Sequence, residues 1–241
     1  MLSIINFSKS YKGSKKAVDS LNLDINSGDI FGFIGHNGAG KTTTIRAIAG
    51  VLDFEEGDIL IDGVSIKKDP VKCKQVTAYI PDNPDLYDHL TGIGYLKFIG
   101  DIYEINKADR EQAIEKYAEA LELTANLGDG ISSYSHGMKQ KLAIISALLH
   151  KPKLLVLDEP FVGLDPKASL TLRNIMAELC SSGSTIFFST HVLLVAEQLC
   201  NKIGIIKDGR LVAFGPTSEV RGNSSLEDVF MELTETANAN I

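Results

Sequence analysis

The stretch from Ile30 to Thr42, "IFGFIGHNGAGKT", decides the fold of this 241-residue chain. Its first five residues are apolar or glycine and predict a short buried strand. Gly35–Thr42 then fits the pattern G-x-x-x-x-G-K-[ST], and a helical segment from about Lys41 to Ala49 follows. A strand, a glycine-rich loop and a helix in this order form a phosphate-binding loop. The sequence therefore predicts an α/β core that binds a nucleoside triphosphate.

Each part of this loop has a chemical use toward a triphosphate. Glycines let backbone N–H groups approach phosphate oxygens without a Cβ clash, and the helix N-terminus adds a positive end. We expect Lys41 to reach the β- and γ-phosphates and the Thr42 hydroxyl to ligate Mg²⁺. The predicted phosphate cradle consists of Gly35, His36, Asn37, Gly38, Ala39, Gly40, Lys41 and Thr42.

Two adjacent carboxylates follow a second buried strand. Leu154–Leu157 is a continuous apolar run, and Asp158 and Glu159 come directly after it. Ligands of open α/β sheets bind at the carboxyl ends of strands, so Asp158 is a candidate for the Mg²⁺ shell. Glu159 is a candidate to take a proton from an attacking water. Taken alone, the pair is equally compatible with two solvated charges, but beside a phosphate loop it indicates nucleotide hydrolysis.

The remaining periodicity predicts three structural parts. Alternating strands and helices favour a mostly parallel sheet, with antiparallel structure near the N-terminus and hairpin turns at Asp62-Gly63 and Asp208-Gly209. Residues 1–85 and 151–219 would form the core, and 86–150, which lack a strong strand signal, an inserted helical subdomain. Residues 220–241 are expected to form a C-terminal tail, frayed beyond Thr234.

Composition excludes some classes of function. The net charge is −7, which argues against a general nucleic-acid binder because such proteins carry a basic footprint. The start lacks the features of a signal peptide, and no stretch reaches the roughly 18 apolar residues that a membrane span needs. Three cysteines without CxxC spacing are expected to be free thiols in a reducing compartment. If the protein works at a membrane, we expect another chain to supply the spans.

Five motifs in order make the chain resemble the ATP-binding subunits of ATP-binding cassette (ABC) transporters. "GHNGAGKTT" resembles the Walker A loop, "LLVLDEP" the Walker B motif and "GLDP", Gly163–Pro166, the D-loop. "STH", Ser189–His191, resembles the switch motif, and "YSHGMKQK", Tyr134–Lys141, resembles the family signature. The fold implied is an α/β P-loop NTPase (RecA-like) core with a mostly parallel sheet, an N-terminal antiparallel β subdomain and an inserted α-helical subdomain.

The resemblance also implies roles for residues outside the cradle. Tyr11 matches the aromatic residue that stacks on adenine, Thr43 joins the ATP-binding residues, and His191 matches the contact to the γ-phosphate. Asp165 matches the D-loop acid that communicates across a dimer, and it is also placed to cap a helix. The signature residues would contact an ATP held by a second subunit: Ser135, His136, Gly137 and Met138. A helix capped by serine is the simpler alternative for that stretch, and the two roles are compatible.

Three residues depart from the family pattern. His36 stands where Walker A often has proline, and histidine keeps its backbone N–H. Asp82 stands where the family has a glutamine that helps to position Mg²⁺ and water. A carboxylate can ligate the metal but is shorter and charged, so Asp82 is a candidate catalytic and metal-binding residue whose geometry differs. His136 stands where the signature usually has glycine, either contacting the partner's nucleotide or lying outside it.

The expected function is that of an ATP-hydrolysing motor with ATP and Mg²⁺ as ligands. Its expected partners are a multi-span membrane permease and a second ABC subunit, identical or different, with no nucleic acid. The segment after Asp82, with Leu86 and Tyr87, is a candidate contact to the permease, although a buried turn residue is equally compatible for either. We therefore expect the protein at the cytoplasmic face of the cell membrane, held there by the permease.

Two questions about the function stay open on the sequence. The short tail and the signature variant resemble exporter subunits, while import of metals or amino acids is the alternative. A non-transport ABC ATPase acting on nucleic acid or ribosomes is the other class considered. The acidic charge and the short distance between Lys41 and Ser135 count against it. A P-loop kinase would lack the signature, D-loop and switch motifs together. The transported substrate is not encoded in this chain.

Overall fold

Two β-sheets, nine α-helices and two short 3-10 helices form the regular structure of the described part of the chain. The computed structural model describes residues 1–11 and 15–235. An antiparallel sheet has the order β2-β1-β4-β5 and a six-stranded sheet the order β10-β9-β3-β8-β7-β6. The strands are β1 (Leu2–Ser10), β2 (Lys16–Ile25), β3 (Ile30–Ile34), β4 (Glu56–Ile61), β5 (Val64–Ser65), β6 (Thr77–Ile80), β7 (Leu154–Asp158), β8 (Thr185–Thr190), β9 (Lys202–Lys207) and β10 (Arg210–Pro216).

The six-stranded sheet is parallel except at one edge. Every neighbouring pair runs parallel apart from β9 and β10, which are joined by the Asp208-Gly209 turn and run antiparallel. Asp62-Gly63 likewise turns β4 into β5. All four turn residues have positive φ angles, as tight hairpins require. Both predicted hairpins are therefore confirmed.

The parallel sheet is covered on both faces, which explains the continuous apolar runs of its strands. Phe31 and Phe33 point to one face, where their rings lie 5.1 and 5.5 Å from that of Phe187 beneath the antiparallel sheet. Ile34 and Phe188 point to the other face and pack with the helices. Burying a side chain of this size contributes about 2 to 3 kcal/mol. The sheet is thus the rigid base whose strand ends carry the site.

The helices lie between and beyond these strands. They are α1 (Lys41–Ile48), α2 (Pro70–Gln75), α3 (Gly92–Ile102), α4 (Lys107–Ala120), α5 (His136–Leu148), α6 (Pro166–Ser181), α7 (Leu193–Leu199), α8 (Thr217–Arg221) and α9 (Leu226–Glu235). Residues 86–150 contain α3 to α5 and no strand, which confirms the inserted helical part. In the part of the chain that the structure describes, none of the helices has the length and apolar character that crossing a bilayer requires.

The segment expected to be a tail begins as packed structure. Leu226 is fully buried, and its N–H donates to Glu197 Oε2 at 3.2 Å. Phe230 and Leu233 follow at helical spacing and pack against the core. This spacing places the three apolar side chains on one face of a helix, and their burial stabilises α9. The sequence analysis overlooked the spacing because polar residues surround it. The fraying expected after Thr234 concerns mainly residues 236–241, which lie outside the described residues.

Candidate active site

The phosphate loop connects β3 to α1 and passes close to neighbouring backbone. A Cβ at Gly35 would lie 2.6 Å from the Ile206 carbonyl oxygen. One at Gly40, where φ is +111°, would lie 2.6 Å from the Ala17 carbonyl oxygen. Contacts this short exclude any side chain, so both positions require glycine. The loop is therefore held tightly against β2 and β9, and it presents its backbone at the N-terminus of α1.

Lys41 crosses the mouth of this loop. Its Nζ donates to the Gly35 carbonyl at 2.6 Å and to the His36 carbonyl at 3.3 Å. Glu159 Oε1 lies 3.9 Å from the same Nζ. Burial lowers the pKa of the Lys41 ammonium group, while the carboxylates of Glu159 and Asp158 oppose that shift. Lys41 thus holds a buried positive charge where the phosphates of a nucleotide are expected.

Asp158 ends β7 with one carboxylate oxygen satisfied and the other free of protein partners. Ser189 Oγ donates to Asp158 Oδ1 at 2.6 Å. Asp158 is 1% exposed, and among the described residues its Oδ2 has no hydrogen-bond partner. A buried carboxylate oxygen without a partner is costly, so its presence indicates a cation or solvent at this place. This orphaned atom fits the predicted Mg²⁺ site, whose hard oxygen ligands would come from Asp158, Thr42 and the phosphates.

Glu159 lies between a cation and an imidazole. Its Oε1 is 3.9 Å from Lys41 Nζ and 3.0 Å from His191 Nδ1. Its backbone N–H donates to Ser189 Oγ at 3.1 Å, and its φ of 48° is in the left-handed region. A non-glycine residue in that region costs on the order of 1 kcal/mol, and such residues concentrate at functional sites. The strained turn places the carboxylate over the loop, where a general base would act.

The cleft above the loop brings together residues from three strand ends. It has a volume of about 230 Å³. Thr42, Asp82 and Asp158, the three predicted metal-binding residues, all line it. The complete lining is Ala17, His36, Asn37, Gly38, Gly40, Lys41, Thr42, Thr43, Asp82, Asp158 and Glu159. Asp82 is exposed, and its Oδ1 accepts a hydrogen bond from the Asn83 N–H at 2.9 Å.

Tyr11 stands at the rim of this cleft. Its hydroxyl lies 3.3 Å from Thr43 Oγ1, and 46% of the residue is exposed. The ring is therefore next to the loop, outside the cleft lining, with surface available to a flat ligand. This arrangement suits the predicted adenine contact.

The four signature residues lie elsewhere, at the N-terminus of α5. Ser135 is the N-cap, and its Oγ accepts from the Met138 N–H at 3.3 Å. None of the four signature residues, Ser135 to Met138, lines the cleft of the phosphate loop. They instead meet the D-loop: the His136 ring lies against Gly163, and Lys141 Nζ is 3.0 Å from Asp165 Oδ2. The sequence analysis did not predict this contact between the signature and the D-loop of one chain.

Asp165 has the capping role expected for it. Its Oδ1 accepts a hydrogen bond from the Ala168 N–H at 2.8 Å, at the start of α6. That bond, and then the one from Lys141, hold the pKa of the Asp165 carboxyl below its ordinary value. The carboxylate therefore ties the first turn of α6 to α5.

Ser189 was named in the sequence analysis only as part of the switch motif, and its contacts with the two carboxylate residues were not predicted. It bonds the carboxylate of Asp158 and accepts the N–H of Glu159. The register of the parallel sheet sets Ser189 directly beside Asp158. A hydroxyl at the end of the strand that pairs with β7 was the available signal, because adjacent parallel strands end at one edge.

Comparison with known proteins identifies the family. The sequence profile of the family described as "ABC transporter" matches residues 18–162. The linearmycin resistance ATP-binding protein LnrL of Bacillus subtilis is 35% identical over 220 residues, 91% of this chain and 70% of that protein. The bacitracin transport ATP-binding protein BcrA of Bacillus licheniformis is 40% identical over 201 residues, 83% of this chain and 65% of that protein.

Solved structures agree with that result. An ATP-binding subunit of an ABC transporter superposes with a TM-score of 0.92 at 33% identity, covering 96% of this chain and 98% of the other. The fold is also that of the ATP-binding cassette MJ0796, whose dimeric structure bound to ADP and Pi has a TM-score of 0.82 at 23% identity, covering 90% and 99%. The chain therefore belongs to the ABC transporter family, and it is an ATP-binding subunit of the ABC ATPase type.

Proposed function

We propose that this ATPase drives export through a separate membrane permease. The observation that carries the proposal is the position of Glu159, which lies between Lys41 and His191 beside the orphaned Asp158 Oδ2. This arrangement supplies a base, a phosphate-binding cation and a metal ligand at one strand edge. It supports ATP hydrolysis within the cleft, and the family supplies the link to transport.

The residues divide the hydrolytic step among them. Glu159 accepts a proton as water attacks the γ-phosphorus, and the bond to the bridging oxygen breaks to give ADP and phosphate. Lys41 stabilises the negative charge of the phosphates, and His191, whose Nδ1 lies 3.0 Å from Glu159 Oε1, orients the base and contacts the γ-phosphate. Mg²⁺, held by Asp158 and Thr42 with Asp82 close by, would neutralise charge on the phosphates.

The working unit in this proposal is a head-to-tail dimer. The signature lies outside the cleft of its own chain, and the N-terminus of α5 is a suitable anion site for a nucleotide held by another subunit. The dimeric structure of the cassette MJ0796 with ADP and Pi supports this arrangement by likeness of fold. ATP binding would then favour closure, and hydrolysis would favour opening. Two identical copies or two different cassettes would satisfy this geometry.

The proposed permease contact is an exposed aromatic cluster on the helical part. Tyr87 is 49% exposed and Phe98 41%, and their ring centroids are 5.6 Å apart. Leu86, the other candidate, is buried and serves to anchor the turn. Aromatic side chains are favoured at protein interfaces. We assign this cluster to a cytoplasmic segment of a multi-span permease, which would hold the protein at the inner face of the membrane.

Export is favoured by what the relatives are named for. LnrL is named for linearmycin resistance and BcrA for bacitracin transport. Resistance to an external compound is consistent with moving that compound outward.

Purification with and without the aromatic cluster tests the permease contact. Affinity-tagged protein expressed in its own host is recovered from detergent-solubilised membranes, and co-purifying chains are identified by mass spectrometry. A multi-span protein should accompany the parent and be lost with Tyr87→Ala. The matched control is Leu170→Ala on α6, which removes a residue that is 59% exposed and outside the cluster. Recovery of ribosomes or DNA in place of a multi-span protein would overturn the transport proposal.

A further inference from the structure

We propose that His136 is a positioning residue that links the partner's ATP site to the Glu159 base of its own chain. The inference rests on the proposed head-to-tail dimer, in which the signature contacts the partner's nucleotide. It assigns to histidine, at a position where the signature usually has glycine, a mechanical role in coupling the two sites of the dimer.

The first step is the contact between the signature and the D-loop of one chain. A Cβ at Gly163 would lie 2.4 Å from His136 Cδ2 and 2.8 Å from Nε2. The imidazole therefore packs directly on the Gly163 backbone. A Cβ at Gly137 would lie 2.8 Å from the Gly163 carbonyl oxygen, so the backbones of the two segments also touch. His136 cannot move toward the D-loop without pushing Gly163.

The second step is the connection from Gly163 to the base. The Val162 N–H donates to the Glu159 carbonyl at 3.2 Å, and the Leu164 N–H donates to the Phe161 carbonyl at 3.4 Å. Two successive turns thus fold the segment between Glu159 and Asp165 into a compact unit. A displacement at Gly163 would be transmitted to Glu159 because these hydrogen bonds restrict the conformation of the short segment between them.

The far end of the segment is fixed to the same helix. Lys141 Nζ lies 3.0 Å from Asp165 Oδ2, and only 13% of the Lys141 side chain is exposed. Helix α5 therefore contacts the D-loop at its first residue, Gly163, through His136, and at Asp165 through Lys141. The near end is set by Glu159, whose N–H is bonded to Ser189. Movement of the α5 N-terminus toward a partner's phosphate would consequently adjust the position of the base.

The distinctive contribution of histidine is the ring over Gly163. Glycine at position 136 would leave only the backbone contact through Gly137, and Gly163 at the start of the D-loop would lose its contact with a side chain of α5. Phenylalanine would keep a planar ring of similar reach. The proposal therefore predicts that His136→Gly uncouples the two sites and that His136→Phe preserves the coupling.

A double-mutant cycle tests the link in the full chain. ATPase rates against ATP concentration are measured for the parent, His136→Gly, Gly163→Ala and the double variant. Alanine at position 163 is strained by the φ of +80° whether residue 136 is histidine or glycine. This cost cancels in the cycle, which therefore isolates the clash between the alanine methyl group and the imidazole. We expect Gly163→Ala to lower kcat about tenfold more in the parent than in His136→Gly, a coupling of ordinary size. Additive effects would overturn the inference.

The Hill coefficient for ATP distinguishes a role of His136 in coupling the two sites from a structural role, which would leave the coefficient unchanged. The parent should show a Hill coefficient between 1 and the limit of about 2 set by two sites. His136→Gly should bring it to about 1 with a fall in kcat, while binding of a fluorescent ATP analogue to the isolated chain stays unchanged. His136→Phe should restore both values. Lys107→Gly, also at the first position of a helix, controls for the backbone cost of glycine. An unchanged Hill coefficient in a cooperative parent would refute the role of His136.

Failure of the proposed dimer gives a different result. In that case the parent itself has a Hill coefficient of 1, and its Glu159→Gln variant stays monomeric with ATP in light scattering. This outcome overturns the dimer and, with it, the transmission assigned to His136. Should His136→Gly not fold, the comparison of Gly163→Ala in the parent and in His136→Phe decides the question. If the ring transmits the coupling, Gly163→Ala should lower the Hill coefficient equally in both backgrounds. An equal fall in kcat with an unchanged Hill coefficient would contradict the inference.

Discussion

Glu159 and Lys41 lie 3.9 Å apart across the phosphate loop, close enough to attract but too far for a hydrogen bond. The same carboxylate oxygen, Glu159 Oε1, also lies 3.0 Å from His191 Nδ1. The Glu159 carboxylate therefore lies beside both the Lys41 ammonium group and the His191 imidazole, while the Glu159 N–H is bonded to Ser189. In the proposed mechanism this arrangement separates binding from chemistry, because Lys41 would attract the phosphates and Glu159 would take the proton.

Glu159→Gln should stop hydrolysis and retain nucleotide binding. The amide keeps the shape of the side chain but cannot accept a proton from water, so we expect kcat to fall about 100-fold or more. Phosphate release measures the rate, and light scattering with ATP and Mg²⁺ measures whether the variant accumulates as a dimer. Glu178→Gln, which removes an exposed acid on α6, is the control. Near-normal turnover by Glu159→Gln would remove Glu159 from the role of base.

Lys41→Ala should abolish ATP binding. The substitution removes the cation at the loop mouth and leaves the carboxylates of Glu159 and Asp158 to repel the phosphates. Equilibrium dialysis with labelled ATP measures the loss, which should exceed about tenfold in affinity, the effect of 1.4 kcal/mol. Lys153→Ala, which removes an exposed lysine paired with Asp62, should bind as the parent does. Retained affinity in Lys41→Ala would contradict the assignment of the loop.

The phosphate loop could be predicted from sequence because its chemistry is local. Gly35–Thr42 follows a strand and opens a helix, and the constraints that demand glycine act within a few residues. The buried strand before Asp158 was likewise readable from a run of apolar residues. These elements need no knowledge of what the rest of the chain does.

Contacts between distant segments could not be predicted in the same way. His136 and Gly163 meet only because α5 and the D-loop converge in the folded chain. Ser189 acts on Asp158 through sheet register, which single-sequence periodicity does not specify. The packing of α9 was missed because its apolar residues are interspersed with charged ones. The chemistry of single residues could be predicted from the sequence, whereas contacts between segments that are distant in the chain could not.

Ser189→Ala should weaken both catalysis and folding. The change removes a hydrogen bond to the buried Asp158 and leaves the Glu159 N–H without its acceptor. We expect a loss of about 1 to 3 kcal/mol in the free energy of unfolding, together with a higher Mg²⁺ concentration for half-maximal ATPase activity. Urea unfolding and a Mg²⁺ titration measure the two effects.

Ser184→Ala is the matched control for that prediction. Its hydroxyl donates to the Pro152 carbonyl near the opposite ends of the strands, away from the cleft. The variant should lose some stability but keep the Mg²⁺ dependence of the parent. If Ser189→Ala also leaves that dependence unchanged, Ser189 is a structural residue only.

His150 should make folding stability depend on pH below neutrality. Its ring is stacked on that of Tyr103 at 3.8 Å, and burial lowers the pKa of His150 to about 4. The unfolded chain takes up a proton near pH 6.5, while the folded chain does so only near 4. The folded state therefore loses stability as pH falls from 6.5 to 4, by up to about 3 kcal/mol.

Urea unfolding at pH 7 and pH 5 measures this contribution. His150→Phe keeps an aromatic ring against Tyr103 and removes the titrating group, so its stability should fall less between the two pH values than that of the parent. His89→Phe, which replaces an exposed histidine, should retain the parent's pH dependence. An identical loss in the parent and in His150→Phe would show that other groups, and not the buried imidazole, set the response to acid.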